Sequence, residues 1–290
     1  MKAENESREQ IQNRKIIDYY NEAQKYYYFL WHGNSLGLHY GFWSEDVKNR
    51  KEAILKENEV FANLAGIKEG DLVLDAGNGV GGSGIWLAEK RQAKIVGLNL
   101  VMKQLKEGRK IAGRKNLSAA NFFTAGSFQE MSFANETFDV VWSLESIEHA
   151  TSVEIFIKEC FRVLKPGGKI IIAGTFKGRD TLSAEEQRQL DVGMSAAGAF
   201  NDFRTANQVG EIIEEAGFSN LQNIDRKDLI MKSAIQMRDM CIWGLPVAKS
   251  LKKMGFVSDI MVTNNEWGTY QQGLFESGAT SYNILIAQKP

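Results

Sequence analysis

Residues 73–85, reading Val-Leu-Asp-Ala-Gly-Asn-Gly-Val-Gly-Gly-Ser-Gly-Ile, constrain the fold of this chain more than any other stretch. Val73 and Leu74 close an apolar run of the kind that forms a strand buried in a parallel sheet. Asp75 stands at the strand's carboxyl end. Gly77, Gly79, Gly81 and Gly82 then make a turn that opens a helix through Ile85, Leu87 and Ala88. Open parallel sheets bind ligands at the carboxyl ends of their strands, where strand order reverses. Glycines at such a turn remove the Cβ atoms that would hold a ligand off the backbone. The spacing Gly77-x-Gly79-x-x-Gly82 also fits the dinucleotide fingerprint. By themselves, therefore, the glycines specify a nucleotide-like ligand or a structural tight turn.

The rest of the composition narrows the class. Hydrophobic residues make up 43% and charged residues 24% of 290 positions, which suits one large soluble α/β domain with a substrate-covering addition. A formal net charge of -1 and the lack of any long basic block argue against a nucleic-acid substrate. Cys160 and Cys241 lack metal-ligand spacing and fit a reduced, cytoplasmic protein. The polar segment Met1 to Arg14 does not read as a signal peptide, and no apolar run is long enough to span a bilayer.

In chain order, Ser7 to Gln24 reads as a weakly amphipathic helix. An aromatic cluster from Tyr19 to Trp43 follows and holds six of the eight tyrosines, so it needs an account. It is either a lid packed on the core or a set of rings lining the site, whose electron-rich faces would stabilise a cation. His32 and His39 read as structural or hydrogen-bonding residues. Lys48 to Leu64 reads as a helix stopped by Gly66. Strands are expected near 72–75, 94–98, 121–124, 138–143, 169–173, 221–224 and 281–288. Helices are expected at 102–114, 153–164 and 205–216. Lys165-Pro166-Gly167-Gly168 reads as a sharp reversal before the fifth strand. The fourth strand delivers Leu144-Glu145-Ser146-Ile147-Glu148-His149 to the edge that carries Asp75. Residues 225–278 form an insertion holding five of the nine methionines. Met fills irregular apolar surfaces, so the insertion is core packing, a wall for a lipophilic substrate, or a membrane-touching face.

Several of these motifs together resemble one family. Val-Leu-Asp-x-Gly-x-Gly-x-Gly looks like the first motif of class I S-adenosylmethionine-dependent methyltransferases, and Asp75 favours that over a dinucleotide site, which needs no acid there. Val96-Gly97-Leu98-Asn99 followed by Gln104, the run from Phe138 to His149, the Tyr19-Tyr20 pair and the segment from Trp31 to Gly41 resemble the sterol and tocopherol methyltransferase group. The resemblance implies a Rossmann-like, mostly parallel seven-stranded sheet whose last strand is antiparallel, with a helical lid. It divides the chain into an N-terminal lid (1–65), a cofactor-binding core (66–225 with 279–290) and a helical substrate-covering insertion (226–278). It implies S-adenosyl-L-methionine as cofactor, leaving S-adenosyl-L-homocysteine as product. Tyr19, Tyr20, Asp75, Ala76, Gly77, Asn78, Gly79, Asn99, Leu100, Gln104, Ser127, Phe128 and Leu144 would hold it. Asn99 and Ser127 stand where that family often carries acids, and Ser127 and Phe128 would flank the adenine. Glu145 and His149 would serve as acid–base or cation-stabilising groups. Glu148 ranks lower, because it is expected to point away from Glu145. The implied activity is methylation of a small, lipophilic acceptor, with carbon as the first choice. N- or O-methylation, a non-catalytic cofactor-binding protein, and a nicotinamide oxidoreductase are the alternatives. Neither oligomeric state nor peripheral membrane contact is fixed by the sequence.

Overall fold

A computed structural model describes residues 7–32, 35–197, 199 and 202–290. The first residues of the polar N-terminal segment and Gly33 of the aromatic segment lie outside the described residues. Seven strands form a single sheet: β1 Leu72–Ala76, β2 Lys94–Asn99, β3 Asn121–Ala125, β4 Phe138–Leu144, β5 Leu164–Lys177, β6 Ser219–Asp225 and β7 Thr280–Gln288. Their order is β3-β2-β1-β4-β5-β7-β6, with β7 antiparallel to both neighbours and the pairings among β1 to β5 parallel. This is the sheet the sequence implied. Strand order reverses between β1 and β4, so the crevice at their carboxyl ends is the expected ligand position.

Helices cover both faces. Helices α3 (Gly82–Arg91), α4 (Met102–Arg114), α5 (Val153–Val163) and α7 (Ala206–Glu215) connect the strands. One core layer joins β4 and β5 to Phe156, Ile157 and Val209. The other packs Val73, Trp142 and Ile284 against helix α2 (Arg50–Ala65) through Phe61 and Ala62. The Phe61 and Trp142 rings meet edge to face at 4.5 Å, both fully buried, and fix α2 under the floor of β1 and β4.

The remaining helices gather over the carboxyl edge. Helix α1 (Arg8–Tyr26) starts at a capping box between Ser7 and Gln10 and runs into a π-helical turn, Tyr27–His32. Gln104 Nε2 donates to Gln24 Oε1 (2.6 Å) and Lys103 Nζ to the Asn21 carbonyl (2.9 Å), which lays α1 across the ends of the strands. Helix α6 (Ala184–Ala197) flanks it. The late insertion is a pair of helices, α8 (Lys227–Lys253) and α9 (Asp259–Glu276), in close contact where Gly268 faces Cys241.

One expectation is corrected. Residues 165–168 are not a sharp reversal before the strand. Strand β5 begins at Leu164, and these residues bulge from it, between the pairs Phe138↔Leu164 and Val140↔Lys169. The bulge is held because the Gly167 amide donates to the Lys289 carbonyl (2.9 Å) and the Lys289 amide to the Gly168 carbonyl (2.8 Å). The chain beyond β7 thus satisfies the backbone groups that a bulge leaves unpaired.

Truncating Phe61 to Ala should cost about 3–5 kcal/mol, as for other large buried aromatics. Urea unfolding of the variant against the parent chain measures it, and a loss within error would show that α2 does not depend on this contact.

Candidate active site

A cavity of about 600 Å³ opens at the carboxyl ends of β1, β2 and β4 and has two chemically distinct ends. The polar end is built by the loop after β1. Gly77 has φ +86°, and a Cβ there would overlap the Ser146 side chain, so only glycine lets the loop pass. The Gly77 amide donates to the Leu98 carbonyl (2.9 Å), and Ser146 Oγ donates to the Ala76 carbonyl (2.6 Å). Asn99 donates from Nδ2 to the Gly79 carbonyl (3.1 Å) and to Gln104 Oε1 (2.8 Å), and its Oδ1 accepts from the Val101 amide (3.0 Å). The asparagine therefore ties the glycine loop to α4, and its oxygen keeps one acceptor direction.

Two residues of this loop carry buried polar atoms that lack a hydrogen-bond partner among the described residues: Asp75 Oδ2, and both Oδ1 and Nδ2 of Asn78. Burial pushes the Asp75 carboxyl up to about 7, and the Gly84 amide at the start of α3 pulls it back. Buried polar atoms are normally satisfied, so this set fits a polar ligand with donors and acceptors of its own. The resemblance to the methyltransferases asks for such a group here, and the residues present suit the amino-acid and ribose parts of that cofactor.

An acidic wall separates this end from the apolar one. Glu145, at φ +47° just after β4, accepts at Oε1 from the Tyr40 amide (2.9 Å). The Tyr282 hydroxyl lies 2.9 Å from the same oxygen and 2.6 Å from Glu57 Oε1. Glu57 Oε2 accepts from the Gly41 amide (2.9 Å) and is paired with His39 Nδ1. One hydroxyl proton cannot serve two carboxylates at once. The Tyr282 hydroxyl therefore donates to one of the two carboxyl groups at a time. Burial, then the nearby Glu57 and Glu148 charges, hold the Glu145 carboxyl well above its ordinary range.

Glu148 departs from expectation. The strand ends at Leu144, and a 3₁₀ turn (Ile147–His149) folds the chain back, so Glu148 lines the same cavity as Glu145 instead of pointing away. Its Oε1 accepts from the Thr175 amide (2.7 Å), and its Oε2 is buried with no partner among the described residues. A Cβ at Gly174 would overlap this carboxylate, so glycine is what lets Glu148 approach β5. Burial raises its carboxyl to about 7. Next to it, His149 Nε2 lies 3.0 Å from the Tyr20 hydroxyl.

The other end is lined by aromatic and sulfur-bearing side chains: Tyr27, Trp31, Met237, Met240, Cys241 and Trp267. Its polar feature is a cluster in which the Tyr19 hydroxyl donates to Asn264 Oδ1 (2.6 Å) and accepts from the Tyr27 hydroxyl, which lies 3.2 Å from the same Asn264 oxygen.

Of the residues named from sequence, Tyr19, Tyr20, Asp75, Gly77, Asn78, Gly79, Asn99, Leu100, Gln104, Phe128, Leu144, Glu145 and His149 all line this cavity. Ala76 and Ser127 are not among the lining residues. Ala76 is packed in the core. Ser127 Oγ donates to Glu9 Oε1 of α1 (3.0 Å) and accepts from the Gln129 amide (3.1 Å). The hydroxyl is thus occupied in fastening α1, while Phe128 stacks on Phe156 at 4.9 Å. Sequence reasoning missed Glu57, Tyr282 and Thr175, and gave His39 no partner. An acid four residues before Phe61, on the apolar face of α2, was the available signal for Glu57.

Residues 74–172 match the family described as a methyltransferase domain. The chain is 32% identical over 240 residues, 81% of its length, to the sterol 24-C-methyltransferase of Aspergillus fumigatus, covering 60% of that protein. It is 32% identical over 186 residues, 60% of its length, to the chloroplastic tocopherol O-methyltransferase of Arabidopsis thaliana, covering 52% of it. The chain thus spans about three fifths or less of the length of these two relatives. Among solved structures, geranyl diphosphate C-methyltransferase from Streptomyces coelicolor A3(2) superposes with a TM-score of 0.71 at 14% identity, over 96% of this chain and 98% of that one. With the motif order, the sheet order and the matched residues in agreement, residues 74–172 form a methyltransferase domain, and the chain as a whole is similar to sterol and tocopherol methyltransferases.

Proposed function

We propose that this protein transfers a methyl group from S-adenosylmethionine to a small lipophilic acceptor, with carbon as the methylated atom. One observation carries the reading: a single cavity joins a polar glycine-loop end to an aromatic and methionine-lined end, with Glu145, Glu148 and His149 at the junction. The similarity to a sterol 24-C-methyltransferase supports carbon, and the relative named as an O-methyltransferase supports oxygen as the alternative.

When bound, S-adenosylmethionine supplies an electrophilic methyl on a positively charged sulfur. The chain's own residues do the rest. Asp75, Asn78 and Asn99 offer polar contacts to the cofactor's amino-acid and ribose parts. The Tyr19 and Tyr20 rings lie over the junction, where an electron-rich face favours cationic charge. Helices α1, α8 and α9 act as the cover that excludes water and holds the acceptor in line, whereas α2 packs under the sheet. A carbon acceptor must lose a proton after methylation, and a phenol or amine must lose one during it. Glu148, with an unpartnered oxygen and a carboxyl near neutrality, suits that step, and His149 with Tyr20 can relay the proton outward. Glu145 is committed to Tyr40 and Tyr282 and positions the wall. The buried thiols of Cys160 and Cys241 suit a reducing, cytoplasmic setting.

Calorimetric titration should give micromolar binding of S-adenosylhomocysteine and none of NAD. Gly77→Ala should weaken the former about tenfold or more. Binding of NAD alone would defeat the reading. Glu148→Gln should lower turnover about 10²–10⁴-fold while leaving S-adenosylhomocysteine affinity within a factor of about two. Full turnover in that variant, measured with methyl-labelled cofactor, would remove Glu148 from the mechanism.

The same residue makes a pH prediction. A carboxyl raised from 4.5 to about 7 keeps more protons folded than unfolded. Its stabilising share is complete below the unfolded value and is lost as pH rises through the folded one. Glu148→Gln cannot titrate, so its melting temperature relative to the parent should climb between about pH 5 and about pH 8, by up to about 3 kcal/mol of stability. A pH-independent difference between the two proteins would show that Glu148 ionises normally.

A further inference from the structure

The second half of α8 turns large apolar side chains to solvent. Ile242 is 50%, Trp243 81%, Val247 57% and Met254 60% exposed, and Phe256, in the turn to α9, is 71% exposed. Trp243, Val247 and Met254 recur at spacings of four and seven, which puts them on one helix face. Exposed apolar groups of this size in one place mark a contact surface. Trp243, Val247 and Leu251 also line the cavity, so the exposed stripe is the cavity's rim and continues into its apolar end. Lys249, Lys252 and Lys253 are exposed along the same stretch. The acids nearby are engaged: Asp259 is paired with Lys252, and Glu22 accepts from the Ser258 amide and hydroxyl. Among the described residues, Lys249 and Lys253 form no ion pair. No helix of the described residues is long and apolar enough to cross a membrane.

We propose that this rim docks on an anionic lipid surface and admits the acceptor directly from it. A tryptophan and a phenylalanine beside free lysines match the two requirements of an interfacial site, an apolar group to insert and cations for the headgroups. A partner protein would answer the apolar stripe alone, whereas the flanking lysines answer to phosphate. Continuity with the cavity gives the contact a use, because a lipophilic molecule that passes from lipid to pocket never exposes its apolar area to water. The idea rests on the lipophilic acceptor proposed above, but its test does not use that acceptor.

The test is sedimentation of the full chain with phosphatidylcholine vesicles, with and without phosphatidylserine. Binding should require phosphatidylserine and weaken with salt. Met254→Ser with Phe256→Ser, neither of which lines the cavity, should lower partitioning about tenfold or more. Lys249→Glu with Lys253→Glu should abolish the preference for phosphatidylserine. S-adenosylhomocysteine titration of each variant should match the parent, which shows that the fold is intact. It also separates the two ideas, since parent protein that binds vesicles but not S-adenosylhomocysteine would defeat the enzymatic reading alone. Absence of vesicle binding, or equal binding by the apolar variant, overturns the proposal. So does self-association in analytical ultracentrifugation that the apolar variant loses without any vesicle binding, because the stripe then belongs to a second copy.

Discussion

Glu57 is fully buried on α2, yet it is bound by three groups from two other parts of the chain: His39 and the Gly41 amide before the helix, and the Tyr282 hydroxyl on the last long strand. Tyr282 in turn contacts Glu145 at the end of β4. A buried carboxylate is costly unless its lone pairs are filled, and removing one partner from such a set costs about 3–5 kcal/mol. The network therefore acts as an all-or-none join. It fixes the segment at residues 39–41 against the sheet, and through the Tyr40 amide it sets where Glu145 stands. It also lets a residue with positive φ persist at Glu145, since two hydrogen bonds on one oxygen over-determine that backbone. The acidic wall of the cavity is in this sense a consequence of helix α2, which contributes no residue to the cavity lining.

That dependence explains what could be read from the sequence. The glycine loop, the strand from Phe138 and the helices with capping residues are local patterns, where the signal and the structure lie within a dozen residues of each other. Fold, sheet order and most of the cavity lining followed from them. Glu57 and Tyr282 are 225 positions apart, and no local pattern links them. Glu148 was misjudged for another reason. Local geometry, strand or short turn, would point Glu148 away from Glu145, but the chain after Leu144 folds through a 3₁₀ turn that brings both to one cavity. Gly174 held the missing clue, because a glycine inside an otherwise apolar strand marks a close approach, here by the Glu148 carboxylate. Ser127 shows the opposite failure. Its position matched a family pattern, but its hydroxyl is bound to Glu9 of α1, a contact that depends on how the N-terminal helix happens to lie.

The cavity's two ends are supported in different ways. The polar end rests on backbone: Gly77, Gly79 and Val101 are held by Leu98 and Asn99, within a parallel sheet whose pairings fix the loop. The apolar end rests on side chains from α1, α8 and α9, where methionines and aromatics can repack with little backbone change. A rigid site for a polar group beside an adaptable one for a lipophilic partner is what the methyl transfer proposed above requires.

The covering helices differ in how firmly they are held. Helices α8 and α9 contribute Ile230, Ala234 and Phe275, all nearly fully buried, to the core layer that includes Trp142 and Tyr282. Moving them would open that layer. Helix α1 joins a small cluster of Tyr19, Ala23 and Met261, and its polar ties include Gln24 to Gln104, Asn21 to Lys103, Glu9 to Ser127, Glu22 to the Ser258 amide and hydroxyl, Tyr19 to Asn264 and Tyr20 to His149. The contacts of Lys103, Glu9 and Glu22 are partly or fully exposed and each contribute about 1 kcal/mol or less, whereas Gln24 and Gln104 meet in a buried pair. Gln104 and Asn99 sit at the inner end of one of these ties and also hold the glycine loop. Helix α1 thus covers the polar end of the cavity through contacts separate from the buried Glu57 and Tyr282 network. The same helix carries Tyr20, whose hydroxyl lies 3.0 Å from His149 Nε2, so the cover over the polar end also supplies a partner to that imidazole.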